Sequence, residues 1–205
     1  MRYRQTFEQS AKALQQTCTE DYENKIEAAV GMLTEAFKQG NKLLAFGNGG
    51  SSADAQHICG ELVGRFLLNR PGLPAIALTS NQTLMTAWGN DHSFDSIFER
   101  QIQSFGKPGD VAWGISTSGN SENVVRAMRA AKSAGLKTIA LTGQGGGRVA
   151  EHCDVLLAAA STETPRIQEV HLVTYHAICA AVEEKLFGAP KESTVASVPP
   201  ASAAR

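Results

Sequence analysis

Five short apolar runs, mostly separated by helical stretches, constrain the fold of this 205-residue chain more than any other feature. Each run has the length of a strand. Parallel strands need crossover connections, which are usually helices, so this alternation is typical of a parallel sheet with helices on both faces. Ligands are then expected at the carboxyl ends of the strands. The predicted strands lie at residues 42–46, 74–78, 110–115, 138–142 and 154–157.

Helices are also predicted before the first strand and after the last one. Residues 4–39 carry apolar side chains at helical spacing, and Gly40 suits a helix end, which predicts two helices before the sheet. The last helix is predicted at about residues 165–186, with Thr164 as N-cap and Pro165 at the first position. Residues 189–205 lack periodicity and predict a disordered tail. We expect one domain over residues 1–188, in which helices (1–40) precede an α/β core with its C-terminal helix (41–188).

Composition and charge exclude several classes of function. The net charge of −1 provides no basic field for nucleic acid. No apolar run is long enough to span a bilayer, and the N-terminus lacks the apolar region of a signal peptide. The four cysteines form no Cys-x-x-Cys pair and are expected to be reduced, mostly buried thiols. We therefore expect a cytoplasmic protein that binds neither nucleic acid nor membrane.

The third apolar run ends in a turn rich in hydroxyl groups, directly before a helix predicted at residues 122–133. Hydroxyls and backbone N–H groups at the start of a helix are a favourable site for phosphate. The turn has no Lys and is therefore no Walker A loop. A Ser-rich loop that only caps the helix is the alternative. The residues of this turn that could hold a phosphate are Ser116, Thr117, Ser118 and Ser121.

A second turn, Gly-Asn-Gly-Gly-Ser-Ser at residues 47–52, follows the first predicted strand and precedes a helix. Its glycines allow the backbone to approach a ligand closely. Ser52 replaces the third glycine of a dinucleotide-binding loop, and no acidic residue follows the second strand to bind a ribose. The two turns together indicate one crevice for a phosphorylated small molecule.

The helix after this turn carries His57 and Glu61, which lie four residues apart and share one face. Such a pair can be an acid/base couple, two metal ligands or a surface ion pair. The spacing leaves all three open, but the position beside the predicted crevice favours a functional role.

The last helix carries Gln168 and His176 on the same side, about 12 Å apart along a straight helix at 1.5 Å per residue. Together with His57 and Glu61 they offer ligands for a borderline divalent metal, for which imidazole and carboxylate favour zinc. Spacing alone does not show that the four meet, and sharing of the site between subunits would ease the geometry. His171 in the same helix is expected to pack in the core with its nitrogens satisfied.

Six motifs in order resemble those of the phosphoheptose isomerases of the sugar isomerase (SIS) domain superfamily, and the match covers nearly all of residues 1–187. They are Gly-Asn-Gly-Gly-Ser (47–51), Gln-His-Ile-Cys-Gly-Glu-Leu (56–62), Gly-Asn-Asp (89–91), Ile-Ser-Thr-Ser-Gly-Asn-Ser (115–121), Leu-Thr-Gly (141–143) and Arg-Ile-Gln-Glu-x-His (166–171).

The resemblance implies a three-layer α/β sandwich, with a five-stranded parallel sheet of the flavodoxin-like, doubly wound kind and an N-terminal helical extension. It implies the conversion of sedoheptulose 7-phosphate to D-glycero-D-manno-heptose 7-phosphate through an enediol. This is the first step towards activated heptose for surface polysaccharide such as lipopolysaccharide. It further implies a homotetramer with active sites at subunit interfaces and one Zn²⁺ per subunit.

The resemblance also implies roles for individual residues. Glu61 and His176 would be the catalytic acid/base pair, and His57, Glu61, Gln168 and His176 would be the zinc ligands. The substrate would be bound by Asn48, Gly49, Gly50, Ser51, Glu61, Arg65, Asn90, Asp91, Ser116, Thr117, Ser118, Ser121, Thr164 and Gln168.

Two other functions fit the same motifs. A non-catalytic SIS-domain scaffold that binds the bacterial replication initiator resembles the isomerases in its loops but lacks their acid/base pair. A sugar-phosphate sensor would keep the phosphate loop and would not need that pair either. Because Glu61 and His176 are both present, the isomerase is favoured.

Overall fold

The computed structural model describes residues 2–188, so the predicted tail at 189–205 lies outside the described residues. All five predicted strands form, and they build one fully parallel sheet in the order β2-β1-β3-β4-β5, which is the flavodoxin-like doubly wound order. The predicted fold class is therefore confirmed. The strands are β1 (Leu43–Gly47), β2 (Ala75–Ala77), β3 (Val111–Ser116), β4 (Lys137–Thr142) and β5 (Val155–Ala158).

The part of the chain that the structure describes forms seven α-helices around the sheet, and two of them precede it as predicted. They are α1 (Arg2–Thr17), α2 (Glu20–Lys38), α3 (Gly50–Val63), α4 (Gln82–Asp91), α5 (Ile97–Phe105), α6 (Glu122–Ser133) and α7 (Thr164–Phe187). Within residues 2–188, no helix is both long and apolar enough to cross a bilayer.

Alternate side chains of the strands enter two separate cores, because successive residues of a strand point to opposite faces of the sheet. Leu43 and Ala45 of β1 pack in one core with α2, α3 and α7. Leu44 and Phe46 pack in the other core with α5 and α6. Every residue of the central strand β3 is buried, as expected for a strand covered on both faces. The two cores place α3 and α7 together on one side of the sheet.

The start of α7 differs from the predicted N-cap. Thr164 is already the first residue of the helix, and Glu163 occupies the N-cap position without a side-chain hydrogen bond. The Glu163 carbonyl accepts the N–H of Ile167 at 2.9 Å, which is the first bond of the helix. Pro165 then lies at the second helical position, where its missing N–H leaves no donor unsatisfied.

Two further predictions concern buried side chains. All four cysteines are free thiols, but the prediction that most of them are buried was only half right, since Cys59 and Cys179 are buried while Cys18 is exposed and Cys153 is half-buried. His171 is fully buried, but only its Nε2 has a partner, the carbonyl of Thr142 at 3.0 Å, while Nδ1 has none. The prediction that both nitrogens are satisfied was therefore wrong. A neutral ring has a single N–H, which the Thr142 carbonyl accepts, and the other nitrogen would need a donor. Burial lowers the pKa of His171 to about 4, despite this hydrogen bond.

A buried ion pair joins α7 to the segment that follows α3. The side chains of Arg70 and Glu183 are each 1% exposed, and Arg70 Nε lies 2.8 Å from Glu183 Oε1. The Glu183 carboxylate also accepts the backbone N–H groups of Phe66, Leu67 and Leu68 at 2.8–3.0 Å. Burial opposes the charge of Glu183, but these three N–H groups and Arg70 outweigh it and lower the pKa.

Arg70 also donates hydrogen bonds to the last carbonyl groups of α3. Its Nη1 donates to the carbonyl of Leu62 at 2.6 Å, and its Nη2 donates to the carbonyl of Glu61 at 2.8 Å. The last carbonyls of a helix have no partner within it, so this guanidinium supplies the donors that they need. The pair of Arg70 and Glu183 therefore connects the C-terminal end of α3 to α7.

We predict that Glu183→Gln lowers the free energy of unfolding by about 3–5 kcal/mol, because it leaves the Arg70 charge buried without a counter-charge. Urea unfolding at neutral pH measures this loss. The exposed neighbour supplies the control, since Glu184→Gln should change the stability little.

The same variant should alter the acid dependence of stability. Since the folded-state pKa of Glu183 is lowered, its contribution is present above the unfolded-state pKa and is lost as the pH falls through the folded value. Unfolding curves of Glu183→Gln should therefore lose less stability on acidification than those of the wild type. Equal stability of the two proteins at neutral pH would contradict the assignment.

Candidate active site

The two polar turns predicted from the sequence lie side by side at one edge of the sheet. They follow β1 and β3, which are hydrogen-bonded neighbours with Gly47 opposite Ile115. Asn48 in the first turn and Asn123 in α6 exchange two side-chain hydrogen bonds, of 2.8 and 2.9 Å. Asn123 is buried, so this amide pair ties the two turns together from the inside.

The hydroxyl groups of the turn after β3 become more exposed along the chain. Ser116 is buried, Thr117 is half-buried and Ser118 is exposed. Ser116 Oγ lies 3.1 Å from Ser121 Oγ, and Ser118 Oγ accepts the N–H of Asn120 at 3.1 Å. The structure therefore brings the predicted phosphate-binding hydroxyls of this turn together.

A close approach of backbone to backbone shapes the same turn. Gly119 has a φ of +66°, and a Cβ atom there would collide with the carbonyl of Gly146. This residue must therefore be glycine for two independent reasons. Ser121 occupies the N-cap of α6 but makes no side-chain cap bond to the helix. This observation argues against the alternative that the Ser121 hydroxyl only caps α6. The start of α6 remains a suitable place for an anion to bind.

The turn after β1 has a similar construction. Gly49 precedes α3 as N-cap with a φ of +55°, and no side chain caps this helix either. Ser51 in the first turn of α3 is 3% exposed. A side chain on Gly50 would occupy the space taken by the amide of Gln168. Gln168 therefore lies against the N-terminal end of α3.

Farther along, α3 and α7 bring three predicted site residues into one cluster. Ligand atoms of His57, Glu61 and His176 all lie within 4.8 Å of one another. His57 Nε2 lies 2.9 Å from Glu61 Oε1 and 3.5 Å from His176 Nε2. We call these three residues the His–Glu–His cluster.

Neighbouring side chains set the orientation and electrostatics of the cluster. The hydroxyl of Tyr175 lies 2.8 Å from His57 Nδ1, and the ring of Phe66 stacks on His176 with centroids 5.2 Å apart. Burial and the neighbouring His57 lower the pKa of His176, while Glu61 acts in the opposite direction.

Asp54, three residues before His57 on α3, is a further acidic group on this helix. Burial raises the pKa of Asp54 to about 6, although His57 partly opposes this rise. One oxygen of its carboxyl is buried without a hydrogen-bond partner. Asp54 was not among the predicted site residues.

The structure does not bring all predicted site residues to this cluster. Gln168 lies against Gly50, seven residues before His57, which is about 10 Å along α3. Arg65 and Thr164 are exposed, and Asn90 bonds the adjacent Asp91 at 2.9 Å at the end of α4. Among residues 2–188, no hydrogen bond joins any of these five to the His–Glu–His cluster.

The prediction from sequence missed four residues that shape the site, namely Asp54, Phe66, Asn123 and Tyr175. Asp54 lies three residues before His57, and Tyr175 directly precedes His176. Helical spacing could therefore have pointed to Asp54. Nothing in the local sequence pairs Phe66 with His176 or Asn123 with Asn48, because these contacts join distant parts of the chain.

The comparisons with known proteins agree on one family. A family model described as a SIS domain matches residues 6–143. A phosphoheptose isomerase from Crocosphaera subtropica is 52% identical over 174 residues, which cover 85% of this chain and 89% of that protein. The solved phosphoheptose isomerase from Neisseria gonorrhoeae has a TM-score of 0.84 at 39% identity and covers 89% of this chain and 97% of its own.

The chain belongs to the phosphoheptose isomerase family of SIS domain proteins. The resemblance inferred from the six motifs is thus confirmed. Phosphoheptose isomerase from Aquifex aeolicus is 53% identical over 163 residues, which cover 80% of this chain and 85% of that protein. The Vibrio vulnificus NanR protein complexed with ManNAc-6P has a TM-score of 0.63 at 17% identity, which shows a shared fold alone.

The His–Glu–His cluster has the composition of a metal site. Two imidazoles and a carboxylate suit a borderline divalent cation. Metal-ligating histidines usually form a hydrogen bond through their second ring nitrogen, and His57 does so with Tyr175. The residues present therefore fit a metal ion.

We predict that Asn123→Ala lowers the free energy of unfolding by about 1–3 kcal/mol, because it leaves the amide of Asn48 without its partner. Chemical denaturation measures the change. Ser133→Ala, at the exposed end of α6, is the control and should have little effect. If the two variants are equally stable, the amide pair does not hold the turns together.

Proposed function

We propose that this protein interconverts sedoheptulose 7-phosphate and D-glycero-D-manno-heptose 7-phosphate through an enediol, with Glu61 and His176 as the acid/base pair. Family membership makes the protein an aldose–ketose isomerase that acts on a small sugar phosphate. The observation that carries the residue assignment is the proximity of Glu61 and His176, which come from α3 and α7 but meet at one point.

The reaction moves a proton between two adjacent carbons and needs a base close to both of them. The Glu61 carboxylate would remove the proton from one carbon and return it to the other. The His176 imidazole would exchange protons with the neighbouring oxygens, and its lowered pKa favours the neutral ring that can both accept and donate.

The phosphate would bind at the turns after β1 and β3. Ser51, Ser116, Thr117, Ser118 and Ser121 offer hydroxyl groups there, and Gly49 and Gly50 allow close approach of the backbone. From Ser51 to His57, α3 rises about 9 Å. A seven-carbon sugar carries its phosphate far from its carbonyl, so the phosphate and the reacting carbons would occupy opposite ends of this crevice.

We propose one Zn²⁺ per subunit, bound by His57, Glu61 and His176, with Gln168 as the fourth ligand. When bound, the ion would stabilise negative charge that develops on the substrate oxygens. The support is the donor set of the His–Glu–His cluster.

We further propose a homotetramer with active sites at subunit interfaces. Gln168 lies about two helical turns from the cluster within one chain. Within the described residues 2–188, Arg65, Asn90, Asp91 and Thr164 make no hydrogen bond to the cluster either. A second subunit would bring residues of this group to the site. Exposed apolar side chains on α1 and α7, such as Phe7 at 77% and Val173 at 51%, are suited to subunit contact.

The proposed reaction begins the synthesis of activated heptose for surface polysaccharide such as lipopolysaccharide. We place it in the cytoplasm, because the composition has the features expected of a reduced protein there. The single domain over residues 1–188 is likewise proposed on the basis of the sequence.

We predict that the purified protein converts sedoheptulose 7-phosphate to the aldose in deuterated water, with solvent deuterium at the carbon next to the carbonyl. NMR follows both the new aldose signals and the deuterium. Aldose without deuterium would argue against proton exchange with solvent through an enediol. Absence of turnover, with and without added zinc, would overturn the isomerase and favour a scaffold or a sensor.

We predict that Glu61→Gln lowers kcat by about 10²–10⁴-fold, since the amide cannot accept the carbon proton. The exposed residue Glu35 provides the control, and Glu35→Gln should retain activity. The zinc content of both samples is measured, so that loss of the base is distinguished from loss of a ligand. Retained turnover would remove Glu61 from the proposed role.

A further inference from the structure

We infer that Tyr175 is a positioning residue, whose hydroxyl fixes the ring orientation of His57 and satisfies its Nδ1 in either tautomer. This inference rests on the proposed metal site for its role in zinc binding. It concerns a residue that is not itself one of the proposed ligands.

The geometry around Tyr175 leaves its hydroxyl little freedom. The residue is fully buried in the core formed with α2 and α3, while His57 is exposed. The Tyr175 hydroxyl lies 2.8 Å from His57 Nδ1, and the two rings meet edge to face with centroids 5.3 Å apart. The buried Tyr175 side chain therefore restricts the orientation of the exposed His57 ring.

Two states of His57 require different proton positions. In the metal-free state, Nε2 faces the acceptor-only carboxylate of Glu61 at 2.9 Å, so the proton of a neutral ring belongs on Nε2. Nδ1 is then an acceptor, and the Tyr175 O–H can donate to it. When a metal binds Nε2, the ring proton must move to Nδ1, and the same hydroxyl oxygen can accept it.

A hydroxyl group can be donor or acceptor, so Tyr175 satisfies Nδ1 in both states without moving. A phenylalanine would satisfy neither. Loss of this hydroxyl should therefore leave Nδ1 without its partner, free the His57 ring to rotate and weaken metal binding, while the ring of residue 175 continues to fill its place in the core.

Tyr22 supplies a matched control. Its hydroxyl is also buried and lies 2.9 Å from Thr174 Oγ1, on the residue that precedes Tyr175 in α7. Tyr22→Phe removes one buried hydroxyl and one hydrogen bond to α7 but does not touch His57.

The first test is the affinity of the full-length, metal-free protein for zinc, measured by competition with a chelator. We expect Tyr175→Phe to bind zinc about 10–100-fold more weakly than the wild type, and Tyr22→Phe to bind it as the wild type does. Equal affinity of Tyr175→Phe and wild type would overturn the inference. An equal loss in Tyr22→Phe would overturn it as well, because the effect would then be a general loss of packing.

The second test needs no metal. Nitrogen NMR of the histidine side chains in mildly alkaline buffer should show His57 Nδ1 as a hydrogen-bond acceptor in the wild type, and in Tyr175→Phe its resonance should move to the position of a nitrogen that accepts no hydrogen bond. A wild-type Nδ1 resonance without the shift of a hydrogen-bonded nitrogen would overturn the inference, even if the variant failed to fold. If the wild type binds no zinc, the proposed metal site fails, and the NMR result alone decides the role of Tyr175.

Discussion

The buried pair of Arg70 and Glu183 sets the relative position of α3 and α7, and the candidate site depends on that position. Glu183 belongs to α7, while Arg70 holds the last carbonyls of α3, including that of Glu61. A charge pair of this kind is costly to bury, and its removal on one side leaves the other charge without compensation. Here the geometry that depends on the pair is the meeting of Glu61 on one helix with His176 on the other.

The parallel sheet provides the second constraint. Because β1 and β3 are neighbours, the turns that follow them must lie side by side, and the amide pair of Asn48 and Asn123 fixes their spacing. The helix that leaves the first turn then leads directly to His57 and Glu61. One helix thus connects the two ends of the crevice, at which we propose anion binding and proton transfer.

The strands and the order of elements could be predicted from the sequence, since they depend on local periodicity, and spacing within one helix was enough to pair His57 with Glu61. That His176 joins this pair could not be derived from spacing and rested on the family resemblance. The N-cap of α7 could not, because it depends on which carbonyl accepts the first helical bond, and Glu163 and Thr164 are adjacent. The contacts of Tyr175 with His57 and of Phe66 with His176 also escaped prediction. They arise from the packing of distant segments, which no local pattern encodes.

The neutral histidine beneath the site has a consequence for the resistance of the protein to acid. His171 donates a hydrogen bond to Thr142 at the end of β4 and has no second partner, so a proton added to Nδ1 would be buried without an acceptor. Its pKa is about 4 in the folded state, below the ordinary value of 6.5, so the unfolded chain binds more protons between these values. The free energy of unfolding therefore falls as the pH drops from 6.5 towards 4. A buried histidine, and not only the charged groups on the surface, thus limits the tolerance of the protein to acid.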